Sequence, residues 1–253
     1  MRYLIDWVLS KALGKFRNRK NTAEYWIGKL LDTGQKLVVQ IGSNDGKSGD
    51  PIYNILNRNK SWECLFVEPV PYLFKRLKNN YPNDSRFKFE NSAVNDGSEQ
   101  IFYSVDPIAK QKIDNLPVWF DQLGSFDKNH IATRLDGILK PFIVDEKIQG
   151  ITLGELFKKH NLRSINLLHI DAEGYDWKIL SQLDFNSCQP EVILFEHKHL
   201  SSSEKDEAVQ VLNIYYQMFE FGSDYVCVHR KKVTIRNFDK EYLKKYSIEN
   251  QSI

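Results

Sequence analysis

Cysteine is scarce in this chain of 253 residues, with only Cys64, Cys188 and Cys227 present. Their odd number and wide spacing give no disulfide framework and none of the paired motifs that hold zinc. Cys64 and Cys227 lie in apolar, strand-like runs, where cysteine behaves as a small buried hydrophobe. This usage indicates a reducing compartment, so we expect a cytoplasmic protein.

Long apolar runs are also missing. No stretch approaches the roughly 20 apolar residues that a membrane-spanning helix needs. The first 16 residues are instead amphipathic, with Leu4, Trp7, Val8, Ala12 and Phe16 on one helical face. We expect this N-terminal helix to pack on the domain or on a partner. The alternative is weak, peripheral contact with a membrane surface.

An excess of one charge is lacking as well, since 35 Lys and Arg residues balance 33 Asp and Glu residues, for a net charge of +2. Balanced charge indicates no nucleic-acid partner. Basic residues do collect before residue 36 and after residue 230. Because no regular aromatic pattern interleaves with these lysines, a solvated face is the simpler interpretation. The alternative is a surface for a membrane or an acidic partner.

The most informative stretch is Leu37–Pro51, LVVQIGSNDGKSGDP. Its short apolar run predicts a buried strand. Gly42 and Gly46 follow directly and predict a loop that a ligand can approach closely. Asp50 is placed to cap a helix after the loop. Strand, glycine loop and helix are typical of a nucleotide site at the carboxyl end of a strand.

Three classes of nucleotide compete for this loop. Glycines at positions 42, 46 and 49 do not match the G-x-G-x-x-G spacing of dinucleotide sites. The loop is one residue short of a triphosphate-binding P-loop, and Asp45 places a carboxylate where phosphates need amide donors. S-adenosylmethionine has no phosphate and carries an ammonium and a sulfonium. It tolerates an acid in the loop, so it is the ligand that the loop favours.

An acid also follows the second predicted strand, Trp62–Val67. Glu68 lies about 20 residues after the glycine loop and precedes Pro69. From that position a carboxylate can accept hydrogen bonds from both ribose hydroxyls of a nucleoside. The alternative for Glu68 is a helix-capping or surface acid.

Five motifs together resemble the FkbM-type methyltransferases, a branch of the class I S-adenosylmethionine-dependent enzymes. The resemblance runs from Leu37 to Val228 and rests on VVQIGSNDGKSGDP, LFVEPVPYLFKRL, NSAV, LGSF and LLHIDAEGYDWKIL. The DAEGYD block is its most specific part. Gln40 departs from the family, because many class I enzymes have an acid there. The resemblance implies S-adenosylmethionine as cofactor, with contacts from Gln40, Gly42, Ser43, Asn44, Asp45, Gly46, Glu68, Pro69, Asn91, Ser92, Ala93 and Asp171.

The alternation of strands and helices predicts a parallel sheet covered on both faces. With the resemblance, we expect an α/β, Rossmann-like fold with a mostly parallel seven-stranded sheet and an antiparallel last strand. Residues 1–34 would be a helical extension, 35–232 the methyltransferase domain, and 233–253 a basic, partly disordered tail.

Residues 106–150, which we call the insertion, lose the strand–helix rhythm. A long irregular stretch is usually functional. In class I methyltransferases the segment before the fourth strand covers the acceptor, so we expect substrate contacts here from Ser125, Phe126 and His130. The alternative for His130 is a solvated or structural histidine.

Methyl transfer to a hydroxyl requires an aligned acceptor and a base that takes its proton. Asp171 is our first candidate because it ends a strand beside the expected methyl group. His197, after the fifth predicted strand, is a neutral base near pH 7. Glu173 is the third candidate, and its alternative role is to cap the next helix.

The acids and histidines after these strands also match the ligands of a divalent ion. Because the chain has no dedicated metal loop, we favour an acid–histidine hydrogen-bond network and expect no metal.

The sequence therefore predicts a methyltransferase that acts on a hydroxyl of a sugar, a glycan or another natural product. The first alternative is methylation of a peptide carboxylate or nitrogen. Alternatives from other classes are a nucleotide-dependent oxidoreductase and a non-catalytic nucleotide-binding module. Nothing in the sequence indicates an oligomeric state.

Overall fold

The structure, a computed structural model, describes residues 19–82 and 84–248. The predicted amphipathic helix at the N-terminus lies outside these residues. The strands are β1 (Lys36–Ile41), β2 (Trp62–Val67), β3 (Phe87–Glu90), β4 (Ala93–Val94), β5 (Glu99–Val105), β6 (Ile143–Ile151), β7 (Leu167–Ile170), β8 (Val192–Glu196), β9 (Tyr216–Phe221) and β10 (Asp224–His229).

Helices connect most of these strands. They are α1 (Ala23–Leu30), α2 (Tyr53–Arg58), α3 (Pro71–Asn80), α4 (Ala109–Lys112), α5 (Lys128–Ala132), α6 (Leu153–Lys159), α7 (Asp176–Leu180), α8 (Ser202–Leu212) and α9 (Asn237–Leu243).

Seven strands form one sheet in the order β3-β2-β1-β7-β8-β10-β9. The first five are parallel, and β10 is antiparallel to both of its neighbours. Strands of this kind are apolar throughout because helices cover both of their faces. In β1, Val39 and Ile41 belong to the cluster on one face, and Val38 to the cluster on the other. The structure confirms the predicted α/β sheet with its antiparallel strand.

A second sheet of three strands lies beside the first, in the order β4-β6-β5. Its strand β6 occupies the end of the insertion, where we expected little regular structure. The reason is that β6, IVDEKIQGI, is exposed or half-buried along its whole length and has no apolar alternation to mark it.

The rest of the insertion packs around a small core of its own. Phe120, Leu123, Ile131 and Leu139 are buried together there. α3 anchors this unit: Tyr72 Oη donates to the Val105 carbonyl over 2.8 Å, and Arg76 pairs with Asp121.

The chain beyond residue 232 also differs from our expectation of a partly disordered tail. As far as residue 248 it forms α9 and a short 3₁₀ turn, Lys244–Tyr246. Ile235 and Leu243 are buried against the sheet, and Asp239 pairs with Lys29 of α1. Two widely spaced apolar residues in a lysine-rich stretch are too weak a pattern to predict a packed helix. Among the described helices, none has both the length and the apolar character required to cross a bilayer.

Candidate functional site

The carboxyl ends of β1, β2 and β7 bring the predicted site residues together at one edge of the sheet. The Gly42 amide donates to the Val67 carbonyl over 3.0 Å, and the Asp171 amide donates to the Ile41 carbonyl over 2.9 Å. The Asn44 amide in turn donates to Glu68 Oε2 over 2.7 Å. The glycine loop, Glu68 and the DAEGYD block are therefore neighbours, as the pattern of strands and loops predicts.

Gly42 is required at the junction of these strands. It has φ +77°, and a Cβ atom there would lie 1.8 Å from the Asp171 carbonyl oxygen. Only glycine allows both the left-handed backbone and this close approach.

Asp45 shapes the glycine loop. Its carboxylate accepts from the amides of Lys47 and Ser48, over 2.9 Å and 2.7 Å, and from the Ser48 hydroxyl. The donors to its carboxylate all belong to the loop, so Asp45 holds the loop in shape.

An inner cavity opens behind the loop. Glu68 lies at one side with Ser92 and Ala93, and Phe126 and Tyr175 lie among the residues that enclose it. A mostly apolar cavity with a carboxylate at one side, here Glu68, has the chemistry of a nucleoside site. Pro69 also lines this cavity, whereas Asn91 instead donates from Nδ2 to the Glu68 and Pro69 carbonyls and supports the turn.

Glu68 is 2 % exposed. Burial raises the pKa of its carboxyl to about 7, although the amides of Val70 and Asn44 donate to it and oppose the rise. The two ribose hydroxyls of a nucleoside would add donors to this carboxylate and favour its charged form.

An outer cavity joins the inner one, since Gly42, Asn44, Asp171 and Glu173 line both. Its wall is polar, in contrast to the apolar inner cavity. The further residues of this wall include Gln40, Ser43, Asp50, Trp119, Arg134, His169, Glu196, Lys198 and His199.

Gln40 is 2 % exposed and lies on the floor of the outer cavity. Its Nε2 donates to Asp50 Oδ2 over 2.9 Å and lies 3.1 Å from His169 Nδ1. Burial lowers the pKa of His169 to about 3, so this imidazole is neutral and can accept. Among the described residues, Gln40 Oε1 has no hydrogen-bond partner. A buried acceptor of this kind calls for a donor from a ligand, and the ammonium of S-adenosylmethionine fits.

Carboxyl groups crowd the edge around Asp171. Burial raises its pKa well above the usual range, and the nearby charges of Glu173 and Asp176 add to the rise. Burial and Glu173 likewise raise the pKa of Glu196 to about 7. Such crowding favours a cationic ligand, because a positive charge relieves the repulsion between the acids.

The DAEGYD block owes its shape to Asp176. This fully buried carboxylate accepts from the amides of Ala172 and Gly174, over 3.2 Å and 3.1 Å. Glu173 lies between them with φ +49°. The turn holds Glu173 toward the insertion, where its backbone carbonyl accepts from the Ser125 hydroxyl over 3.3 Å.

Glu173 Oε2 lies 2.7 Å from His130 Nε2 and 3.8 Å from Arg134 Nη2. The same Arg134 nitrogen is 2.5 Å from His199 Nε2. We call these four residues the Glu173 cluster. The two imidazoles and the carboxylate are close enough together to hold a metal ion. Arg134 lies among them and already supplies a positive charge there.

His197 lies apart from the other predicted site residues and lines neither cavity. Its ring stacks on Tyr225 with centroids 3.9 Å apart, and its Nε2 lies 3.5 Å from Glu220 Oε1. It therefore takes no part in our proposal below.

Within the insertion, the sequence did not single out Arg134 or Trp119 as site residues. Leu135 and Asp136, directly after Arg134, have left-handed backbones with φ +48° and +55°, and no residue pattern indicates such a turn at Leu135. The sequence gives a clearer indication for His199. This residue follows β8 in the run EHKH, at the edge of the sheet where ligands are expected.

Comparisons with known proteins agree with this geometry. The methyltransferase FkbM domain family matches residues 40–225 of the chain. A search of curated proteins finds no match.

Similar solved structures include human methyltransferase-like protein 13 in complex with SAH. It is 9 % identical, with a TM-score of 0.45, over 90 % of this chain and 85 % of that one. Precorrin-6y C5,15-methyltransferase from Geobacter metallireducens is 10 % identical, with a TM-score of 0.43, over 83 % of this chain and 87 % of that one. The family match covers the glycine loop, Glu68, the insertion and the DAEGYD block. The chain therefore belongs to the FkbM methyltransferase-domain family and is an S-adenosylmethionine-dependent methyltransferase.

Proposed function

We propose that this enzyme methylates a hydroxyl oxygen of a small acceptor, a sugar or glycan or another hydroxylated natural product. The observation that carries the proposal is the Glu173 carboxylate, which lines both cavities and is held 2.7 Å from His130. A carboxylate at the junction of a nucleoside cavity and a polar cavity can take the proton of a hydroxyl as its oxygen is methylated.

The sulfonium of the cofactor supplies the reactive methyl group. In our proposal Glu68 accepts from the ribose hydroxyls, Gln40 Oε1 accepts from the ammonium, and the backbone of the glycine loop lies against the methionine end. Asp171 faces the positive charge. Glu173 lines both cavities and is held by His130 of the insertion, so we assign proton removal to Glu173.

The insertion supplies the acceptor side of the outer cavity. Trp119 is 45 % exposed and offers an apolar face at the mouth. His130 and Arg134 position the Glu173 carboxylate from the insertion. An aromatic face beside hydrogen-bonding groups suits a polyhydroxylated acceptor. The free cysteines, of which Cys64 and Cys227 are buried, support a cytoplasmic location.

A transfer assay tests this proposal directly. The enzyme is incubated with S-adenosylmethionine labelled in the methyl group and with panels of glycosides, hydroxylated natural products and peptides. We expect label in the hydroxylated panel, and NMR of the product should show an O-methyl group. Transfer only to peptide carboxylates or nitrogens would contradict O-methylation. Calorimetric binding of NADH or ATP but not of adenosylhomocysteine would contradict the cofactor assignment.

Adenosylhomocysteine affinity should rise with pH. Glu68 has a pKa of about 7 in the empty site. The ionised form accepts ribose hydroxyls better than the neutral form, so binding tightens as the solution pH rises through that value. We expect calorimetry to show at least about threefold tighter binding at about pH 8 than at about pH 6.

The Glu68→Gln variant is the control for this pH dependence. It keeps the size of the side chain but does not titrate. We expect about tenfold weaker binding and a flatter pH profile, because a charged hydrogen-bond acceptor is lost. An unchanged profile in Glu68→Gln would assign the titration to another group.

A further inference from the structure

Beyond catalysis, we propose that α9 and the start of α1 form a docking surface for anionic lipid membranes. The members of this surface are aromatic or basic side chains from both ends of the chain. We call it the aromatic–basic surface, and it consists of Lys20, Phe238, Tyr242, Lys245 and Tyr246.

Phe238 is the centre of the surface. It is 75 % exposed, the largest exposure among the large apolar side chains of the described residues. Lys20 Nζ lies 5.5 Å from the centre of the Phe238 ring and 5.6 Å from that of Tyr242. Lys245 Nζ lies 4.1 Å from the Tyr242 ring centre. A protruding aromatic ring among lysines is the arrangement that inserts into an anionic interface.

The charge around Phe238 is mainly positive. Asp239 is buried and paired with Lys29, and Glu241, the exposed acid of α9, pairs with Lys244 over 2.7 Å. Basic residues surround it in sequence: Arg230, Lys231, Lys232, Arg236, Lys240, Lys244 and Lys245. Clustered lysines near a membrane are attracted to the negative potential of its anionic lipids.

The sequence before this surface favours a membrane over a nucleic acid or an acidic protein. The predicted amphipathic segment, with Trp7 and Phe16 on its apolar face, leads directly into Lys20. Asn21 Oδ1 accepts from the hydroxyls of Tyr242 and Tyr246, both over 2.6 Å, so this end of the chain is fixed to α9. The apolar residues that the sequence predicts for one face of this segment would favour a lipid surface, for which a nucleic acid has no use.

The surface lies on the side of the catalytic edge. Asn21 and Thr22 line a cleft together with Gly49 and Asp50 of the glycine loop. Tyr246 packs on Phe221 at the end of β9, with ring centroids 4.4 Å apart. Since β9 runs in the same direction as the parallel strands, the Tyr246 end of the surface lies near the edge that carries the outer cavity.

Vesicle co-sedimentation of the full chain tests the proposal. We expect binding to phosphatidylcholine vesicles that contain about 30 mol% phosphatidylserine and none to pure phosphatidylcholine. The binding should weaken between about 0.1 M and about 1 M salt, because salt screens the lysines. Phe238→Ser and the double variant Lys20→Glu with Lys245→Glu should each bind at least about tenfold more weakly.

Two variants control for exposure and total charge. Val118→Ser removes an apolar side chain that is 74 % exposed in the insertion. Lys75→Glu with Lys78→Glu makes the same change in net charge on α3. Both should bind vesicles like the unmodified chain.

Three results would overturn the proposal. One is no binding of the unmodified chain to the anionic vesicles. Another is binding to RNA or DNA with none to vesicles. A third is undiminished vesicle binding by Phe238→Ser with a lowered melting temperature, which would show that the ring packs against the rest of the chain.

Discussion

Replacing Glu173 with glutamine is expected to lower kcat by roughly 10²–10⁴-fold, the usual contribution of a positioned general base. Glutamine keeps the length of the side chain and can still accept from His130, but it cannot take a proton from the acceptor. The affinity for adenosylhomocysteine should change little, because Glu173 contacts the acceptor side in our proposal. Single-turnover methyl transfer to the best acceptor of the panel measures the chemical step.

Asp171→Asn is the matched comparison, since it makes the same acid-to-amide change two residues away. We expect it to weaken cofactor binding more than it slows the chemical step. If Asp171→Asn abolishes transfer with affinity intact while Glu173→Gln retains full turnover, Asp171 is the base. Melting temperatures of both variants verify that the DAEGYD turn has folded.

Replacing Gly42 with alanine should abolish cofactor binding and destabilise the fold. The new Cβ would lie 1.8 Å from the Asp171 carbonyl oxygen, so the ends of β1 and β7 must separate. The left-handed backbone adds about 1–2 kcal/mol of strain. We expect at least about a 100-fold loss of adenosylhomocysteine affinity by calorimetry, because a shift of the loop misplaces its backbone contacts.

Gly34→Ala separates backbone strain from steric overlap. Gly34 has φ +80°, close to that of Gly42, but a Cβ there would have no described atom within 4 Å. We expect a modest loss of stability in this variant and unchanged cofactor affinity. Equal losses of affinity in the two variants would show that the close approach to Asp171 has no special importance.

Local patterns predict the parts of the fold that repeat a strand–loop–helix unit. β1, β2, β7 and β8 are apolar runs that end in glycine or an acid, so the ligand edge can be derived from the sequence. Gln40 shows the limit of this reasoning. Its position is predicted, but its unpartnered Oε1 depends on contacts with Asp50 and His169 that lie 10 and 129 residues away in the chain.

The residues around Glu173 are harder to predict, because only contacts between distant parts of the chain bring them together. His130 and Arg134 reach Glu173 through a helix of five residues and a turn with left-handed backbones. The same holds for the aromatic–basic surface. The sequence shows no regular alternation of aromatic and basic residues, yet folding places Lys20 beside Phe238 and Tyr242.

The separate core of the insertion has a consequence for how this enzyme can diversify. Phe120, Leu123, Ile131 and Leu139 belong to one buried cluster that also includes Val105 of β5, whereas Gly42 and Glu68 follow strands of the central sheet. Trp119 lines the outer cavity but not the inner one, so a substitution there changes the mouth without changing the lining beside Glu68. Substitutions in the insertion therefore offer descendants of this gene a route to new acceptors, while the strands that carry Gly42 and Glu68 stay the same.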